Sequence, residues 1–105
     1  MVEDGFSSFK DEYPQDLIDA VVRSEGVVVY SKSWCPHCTA AKQLLQSKGI
    51  AFYAMDIDQE GRGDAIQDAL YQRTGQRTVP NIFVMGEHLG GNSDLQTANA
   101  NGSLA

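Results

Sequence analysis

The stretch "VVVYSKSWCPHCTAAKQLLQSKG" at 27–49 constrains the fold more than any other part of the chain. Its first four residues are three β-branched valines and a tyrosine with no polar alternation, the pattern of a strand buried on both faces. Cys35 follows after a short polar and aromatic lead-in, and Pro36 comes directly after it. Proline is well accommodated at the first helical position, where its missing N–H would have had no partner. Ala40, Ala41, Leu44 and Leu45 then recur at helical spacing until Gly49 ends the segment. A buried strand therefore runs into a helix through a loop that carries both cysteines of the chain.

Other elements fall around this unit. Pro14 suits a first helical turn, Leu17, Ile18, Val21 and Val22 form one apolar stripe, and Gly26 stops that helix. "AFYAMDID" at 51–58 reads as a second strand. A third helix spans 62–75, with Asp64 as its cap, Ile66, Ala69 and Leu70 on its inner face, and Gly75 at its end. "NIFVMGEHLGG" at 81–91 reads as a hairpin turning at Gly86-Glu87, and Ser93 or Asp94 caps a last helix over 94–101. The order α-β-α-β-α-β-β-α predicts a parallel pair in front and an antiparallel half behind. That is an α/β fold, a mixed four-stranded sheet with helices on both faces.

The 105 residues favour a single domain, 1–105, and a 42% hydrophobic content marks it as globular. No apolar run, the one at 27–30 included, approaches the ~20 residues a membrane span needs. Eight scattered Lys and Arg against fourteen Asp and Glu give a net charge of −6 and little footing for nucleic acid. The first fifteen residues are acidic, without the basic start and apolar centre of a secretory signal, so a cytoplasmic location is expected.

Three chemistries fit two cysteines three positions apart. A structural zinc site needs four ligands, and the chain offers only Cys35, Cys38, His37 and His88, with His37 directed away from the sulfurs' shared face. A structural disulfide over so short a loop would constrain the unfolded chain little and would be reduced in the cytosol. A redox pair fits best, because a C-x-x-C beside a strand–helix–strand pattern is its usual setting. Pro36 puts Cys35 at the helix N-cap, where unpaired N–H groups and the helix dipole stabilise a thiolate. Cys38 lies one turn deeper on the same face. Cys35 is thus the attacking thiol and Cys38 the resolving one.

Taken with "YSKSWCPHC", the later pieces "IQDAL", "TGQRTVPNIFV" and "GGNSDL" make the chain resemble a dithiol glutaredoxin of the thioredoxin-like fold, from about residue 15 onward. The resemblance implies a glutathione-dependent oxidoreductase, with glutathione as co-substrate and no metal. In that reading Lys32 reaches the glycyl carboxylate and Gln67 hydrogen-bonds the same end. The Val79–Pro80 bond is cis in the family, turning the Val79 backbone toward the sulfur to pair with the tripeptide. Gly91 permits close backbone approach; Ser93 and the helix it begins take the γ-glutamyl carboxylate, and Asp94 takes the amine. Arg77 adds a second cation, and Thr78 contributes backbone only. Implied partners are glutathionylated or disulfide-bonded proteins and, indirectly, glutathione reductase with NADPH; the protein is expected to be a monomer.

Many relatives carry tyrosine at the position of His37, and C-P-H-C is the motif of the periplasmic oxidant DsbA. A charged His37 beside the helix N-terminus would favour the Cys35 thiolate and make the disulfide a stronger oxidant. Trp34 is expected to pack beside the loop, His88 to face solvent, and the sequon Asn101-Gly102-Ser103 to matter only in a secreted protein. Two other readings stand beside the main one. One is a DsbA-like or thioredoxin-like oxidoreductase without glutathione. The other is a dimer holding a 2Fe–2S cluster through Cys35 and glutathione.

Overall fold

The computed structural model describes residues 14–102; residues 1–13 and the sequon's Ser103 lie outside the described residues. In chain order the elements are α1 (Pro14–Ser24), β1 (Val27–Ser31), α2 (Pro36–Ser47), β2 (Tyr53–Asp56) and a 3-10 turn (Ile57–Gln59). α3 (Gly63–Thr74), β3 (Asn81–Val84), β4 (Glu87–Gly90) and α4 (Asn92–Ala100) complete it. The sheet runs β2-β1-β3-β4. β1 is parallel to β2 and antiparallel to β3, which is antiparallel to β4. This is the mixed four-stranded sheet expected from the sequence.

β1 is the spine. All five of its residues are buried, which is why its sequence shows no polar alternation. Its side chains divide by parity between two cores. Val28 and Tyr30 pack with Ile18 and Val22 of α1, Ile66 and Leu70 of α3, and Phe83. Val27 and Val29 pack with Ala41 and Leu45 of α2, Leu95 of α4, and Ile82. Each such fully buried aliphatic side chain contributes about 1.5–3 kcal/mol. No helix among the described residues is long and apolar enough to cross a membrane.

Several boundaries differ from the sequence reading. β2 spans four residues, because the chain tightens into the 3-10 turn that buries Ile57. The hairpin turns one residue earlier than expected. Met85 (φ 52°) and Gly86 (φ 83°) both take the left-handed region, the requirement of a two-residue turn matched to strand twist. Arg62 stands at the N-cap of α3 without a side-chain bond, and Asp64 falls inside the first turn instead of capping it. α4 starts at Asn92 with Gly91 as its N-cap, so neither Ser93 nor Asp94 occupies that position. Asp94 acts from the first turn, its Oδ2 accepting the Gly91 N–H at 2.9 Å. Gly90 (φ 129°) has no room for a side chain, since a Cβ there would collide with that same carboxylate.

Gly63 opens α3 hard against the 3-10 turn, where an added Cβ would collide with the Ile57 carbonyl oxygen and lie 3.1 Å from its carbon. In an open helix Gly→Ala gains about 1 kcal/mol; here backbone overpacking costs about 1–3 kcal/mol. Gly63→Ala is therefore expected to lower stability in urea unfolding. An equal or higher midpoint would show that the turn yields freely.

Candidate active site

The site forms where β1 ends. Ser31 is fully buried, and its Oγ donates to Asp56 Oδ1 at 2.5 Å, tying β1 to β2; Lys42 Nζ of α2 meets the same oxygen at 3.1 Å. The Ser31 hydrogen bond, helped by Lys42, holds the Asp56 carboxyl below its usual range. The next loop is pinned by Asp58, which accepts the Ser33 N–H at 2.9 Å and the Ser33 hydroxyl at 2.6 Å. Cys35 N–H donates back to Lys32 O at 3.2 Å. The chain thus reaches Cys35 in a fixed direction.

Cys35 is the N-cap of α2, in extended conformation, with Pro36 at the first helical position. Its Sγ accepts the Cys38 N–H at 3.1 Å, so the sulfur performs the task that a serine or aspartate oxygen performs at other helices. Cys38 is 1% exposed and Cys35 5%; both are free thiols. Burial, together with the hydrogen bond to the Cys35 sulfur, pushes the Cys38 thiol up to about 12. At neutral pH Cys38 is protonated.

The Val79–Pro80 bond is cis, as the resemblance implied, and the Val79 carbonyl oxygen lies 3.8 Å from Cys35 Sγ. Two depressions flank this point. One, of about 490 Å³, is lined by Lys32, Trp34, Asp58, Arg62 and Gln67. The other, of about 420 Å³, is lined by His37, Thr78, Val79, Pro80, Gly91 and Ser93. The fold therefore gathers most of the residues singled out from sequence into two groups around the sulfur.

Two residues stand differently. Arg77 lines neither depression: its guanidinium pairs with Asp68 at 2.9 Å and lies 4.6 Å from the Tyr71 ring centroid, over α3. Asp94 also lines neither, and its Oδ2 is engaged by the Gly91 N–H. Gln67 borders the first depression while its Nε2 donates to Arg77 O at 2.6 Å, tying α3 to the segment before Thr78.

The surroundings also hold residues that sequence reasoning passed over or misplaced. Trp34 does not pack against the loop; it is 68% exposed, with Lys32 Nζ 5.6 Å from its ring centroid. Asp58 carried no signal, because an aspartate after a strand looks like any surface carboxylate. His88 is exposed as expected, yet its Nε2 lies 2.9 Å from Asn81 Oδ1 and 3.2 Å from Gln76 Oε1. The part of its ring that is covered loses hydration, which lowers its pKa from the usual histidine value.

A group that titrates near 12 stays a thiol at pH 7.5, and alkylation proceeds through the thiolate. One equivalent of iodoacetamide at pH 7.5 is therefore expected to modify Cys35 and leave Cys38 intact, as peptide mass spectrometry would read. Label found first on Cys38 would contradict the division of roles.

Comparison with known proteins agrees with this geometry. The family model for glutaredoxin matches residues 27–89. Over 84 residues the chain is 46% identical to Glutaredoxin-C2 of Arabidopsis thaliana, a span covering 80% of this chain and 76% of that protein. Over 83 residues it is 48% identical to Glutaredoxin-C6 of Oryza sativa subsp. japonica, covering 79% and 74%. Among solved structures, a buckwheat glutaredoxin–glutathione complex superposes with a TM-score of 0.87 at 40% identity, covering 89% of this chain and 84% of that one.

Proposed function

The chain belongs to the glutaredoxin family, a thiol–disulfide oxidoreductase of thioredoxin-like fold, and from that premise we propose that it reduces protein–glutathione mixed disulfides and protein disulfides with glutathione. The observation that carries the reading is the Cys35 sulfur, capping α2 between two depressions and 3.8 Å from the Val79 carbonyl. The solved relative that is a glutathione complex supports glutathione as the co-substrate.

Cys35 thiolate attacks the glutathionyl sulfur of the mixed disulfide. A Cys35–glutathione disulfide forms and the protein thiolate leaves. A second glutathione thiolate then attacks the glutathionyl sulfur, releasing oxidised glutathione and restoring Cys35. With a protein disulfide, Cys35 first forms the mixed disulfide. Cys38 loses its proton, attacks the Cys35 sulfur, and expels the substrate's thiolate; two glutathiones reset the pair. Lys32 receives the glycyl carboxylate in the larger depression, beside Gln67. The Val79 backbone pairs with the cysteinyl unit as a short added strand. The γ-glutamyl end lies in the smaller depression, at Ser93 and the start of α4, whose free N–H groups suit a carboxylate. The Asp94 carboxylate takes the amine while holding Gly91. Arg77 acts at longer range, from the segment after α3, its guanidinium held over that helix by Asp68. NADPH, through glutathione reductase, supplies the electrons, and the protein works as a cytoplasmic monomer.

Only Cys35 is needed to accept and release a glutathionyl group. Cys35→Ser is therefore expected to abolish reduction of a glutathionylated protein in a glutathione-coupled assay, while Cys38→Ser retains most of it. Equal loss in both variants would refute the one-thiol route.

His37 is exposed on the rim of the smaller depression, next to the N-terminus of α2. A cationic ring there favours the Cys35 thiolate and so the reduced form. His37→Tyr is expected to make the pair more reducing. Equilibration with a glutathione redox buffer reads the two potentials, and equal values would remove any role for the imidazole.

A further inference from the structure

The site has one strip of backbone, Thr78 to Pro80, that faces the reacting sulfur, and a single side chain brackets it. Gln76 Nε2 donates to Thr78 O at 3.1 Å and to Pro80 O at 2.9 Å. Carbonyls only accept, so the amide nitrogen must be the group turned toward them. That leaves Oε1 facing His88 Nε2 at 3.2 Å, and the same ring nitrogen lies 2.9 Å from Asn81 Oδ1. Both of those partners are acceptors, which assigns the hydrogen of the imidazole to Nε2. Asn81 is 1% exposed. Its position is fixed by the β3 pairing to Tyr30 and by Nδ2 contacts of 3.5 Å to Thr74 Oγ1 and Gln76 O. Gln76 N–H donates to Thr74 Oγ1 at 3.0 Å, anchoring the residue to the end of α3. The Gln76 side chain is thereby held at both ends, and its amide ties the two carbonyls on either side of Val79.

We propose that Gln76, locked by His88, is a positioning residue that pre-forms the Val79 strip for glutathione and so sets affinity for the tripeptide. This rests on the glutathione reading given above. The physical reason is pre-organisation. A strip already fixed in its bound shape loses less backbone freedom when glutathione pairs with it. Gln76 lines neither depression, so it acts through Val79 and not by touching the ligand. The reach of the clamp explains why a hairpin residue, His88, belongs to the site's architecture although it lies beyond the sulfur's neighbours.

The test uses oxidised glutathione as the probe, titrated calorimetrically into the Cys35→Ser/Cys38→Ser protein, in which no thiol remains to exchange. In that background Gln76→Ala removes the clamp, and Gln76→Met keeps its bulk but not its donors. Both are expected to weaken binding about tenfold, the cost of ordering about one residue of backbone that the clamp otherwise holds fixed. Backbone order parameters of Thr78 and Val79 in the ligand-free variants are expected to fall, while those of Val28 and Val29 hold. A mere packing role would let Gln76→Met bind like the parent, and that result overturns the proposal, as would unchanged affinity and order in Gln76→Ala. If the parent itself binds no oxidised glutathione, the glutathione reading fails. The order parameters then still judge the clamp, standing if they fall and rejected if they do not.

Discussion

The structure turns on one hydrogen bond, from the Cys38 N–H to the Cys35 sulfur. A helix N-terminus leaves several N–H groups unpartnered, and in α2 the reacting atom of the protein is the cap. Pro36 removes one of those donors by having none, which leaves the sulfur to serve the turn above it. Folding of α2 and readiness of the sulfur are therefore the same event. The other contacts in the neighbourhood keep that bond in register: Asp58 on Ser33, Ser31 on Asp56, and Lys32 O on the Cys35 N–H.

Around this bond the two thiols are unequal: the Cys35 sulfur accepts the Cys38 N–H, while the Cys38 sulfur lies almost fully buried. Cys38 sits one turn further into the fold, and its neighbour's sulfur adds to the effect of burial in keeping it protonated. An attacker and a reserve are thus distinguished within the motif itself. The net charge of −6 does not prevent this, since what decides it is local: the end of α2 at Cys35 and the burial of Cys38. What charge does at long range and what it does at the site are separate questions.

Much of this was legible in the sequence because the fold rests on long, one-sided patterns. The unbroken apolar run of β1 needs two covered faces, and the structure supplies them. The proline after Cys35 located the helix start to the residue. What the sequence misled about depends on tertiary partners. Ser93 and Asp94 are good capping residues, yet Gly91 takes the cap because Asp94 reaches back to its N–H from the first turn. Met85 reads as strand by hydrophobicity, but strand twist requires left-handed residues at the turn and takes it as one. Trp34 reads as packing by size and is instead held out by a loop whose backbone is tied to Asp58. Arg77 reads as a free cation beside the groove, and only the fold shows its pairing with Asp68 and its contact with Tyr71. Gln76 lay inside a recognised motif with no role, since nothing in one dimension shows that two carbonyls will converge on it.

The hairpin tip has a consequence of its own. Val27 pairs with Val84, so Met85 and Gly86 sit at the start of the central strand while the cysteines lie past its finish. Met85 is largely solvent-exposed. A dye, a tether or an immobilising surface attached there would be separated from the chemistry by the full length of the sheet, leaving the molecule's working end turned outward.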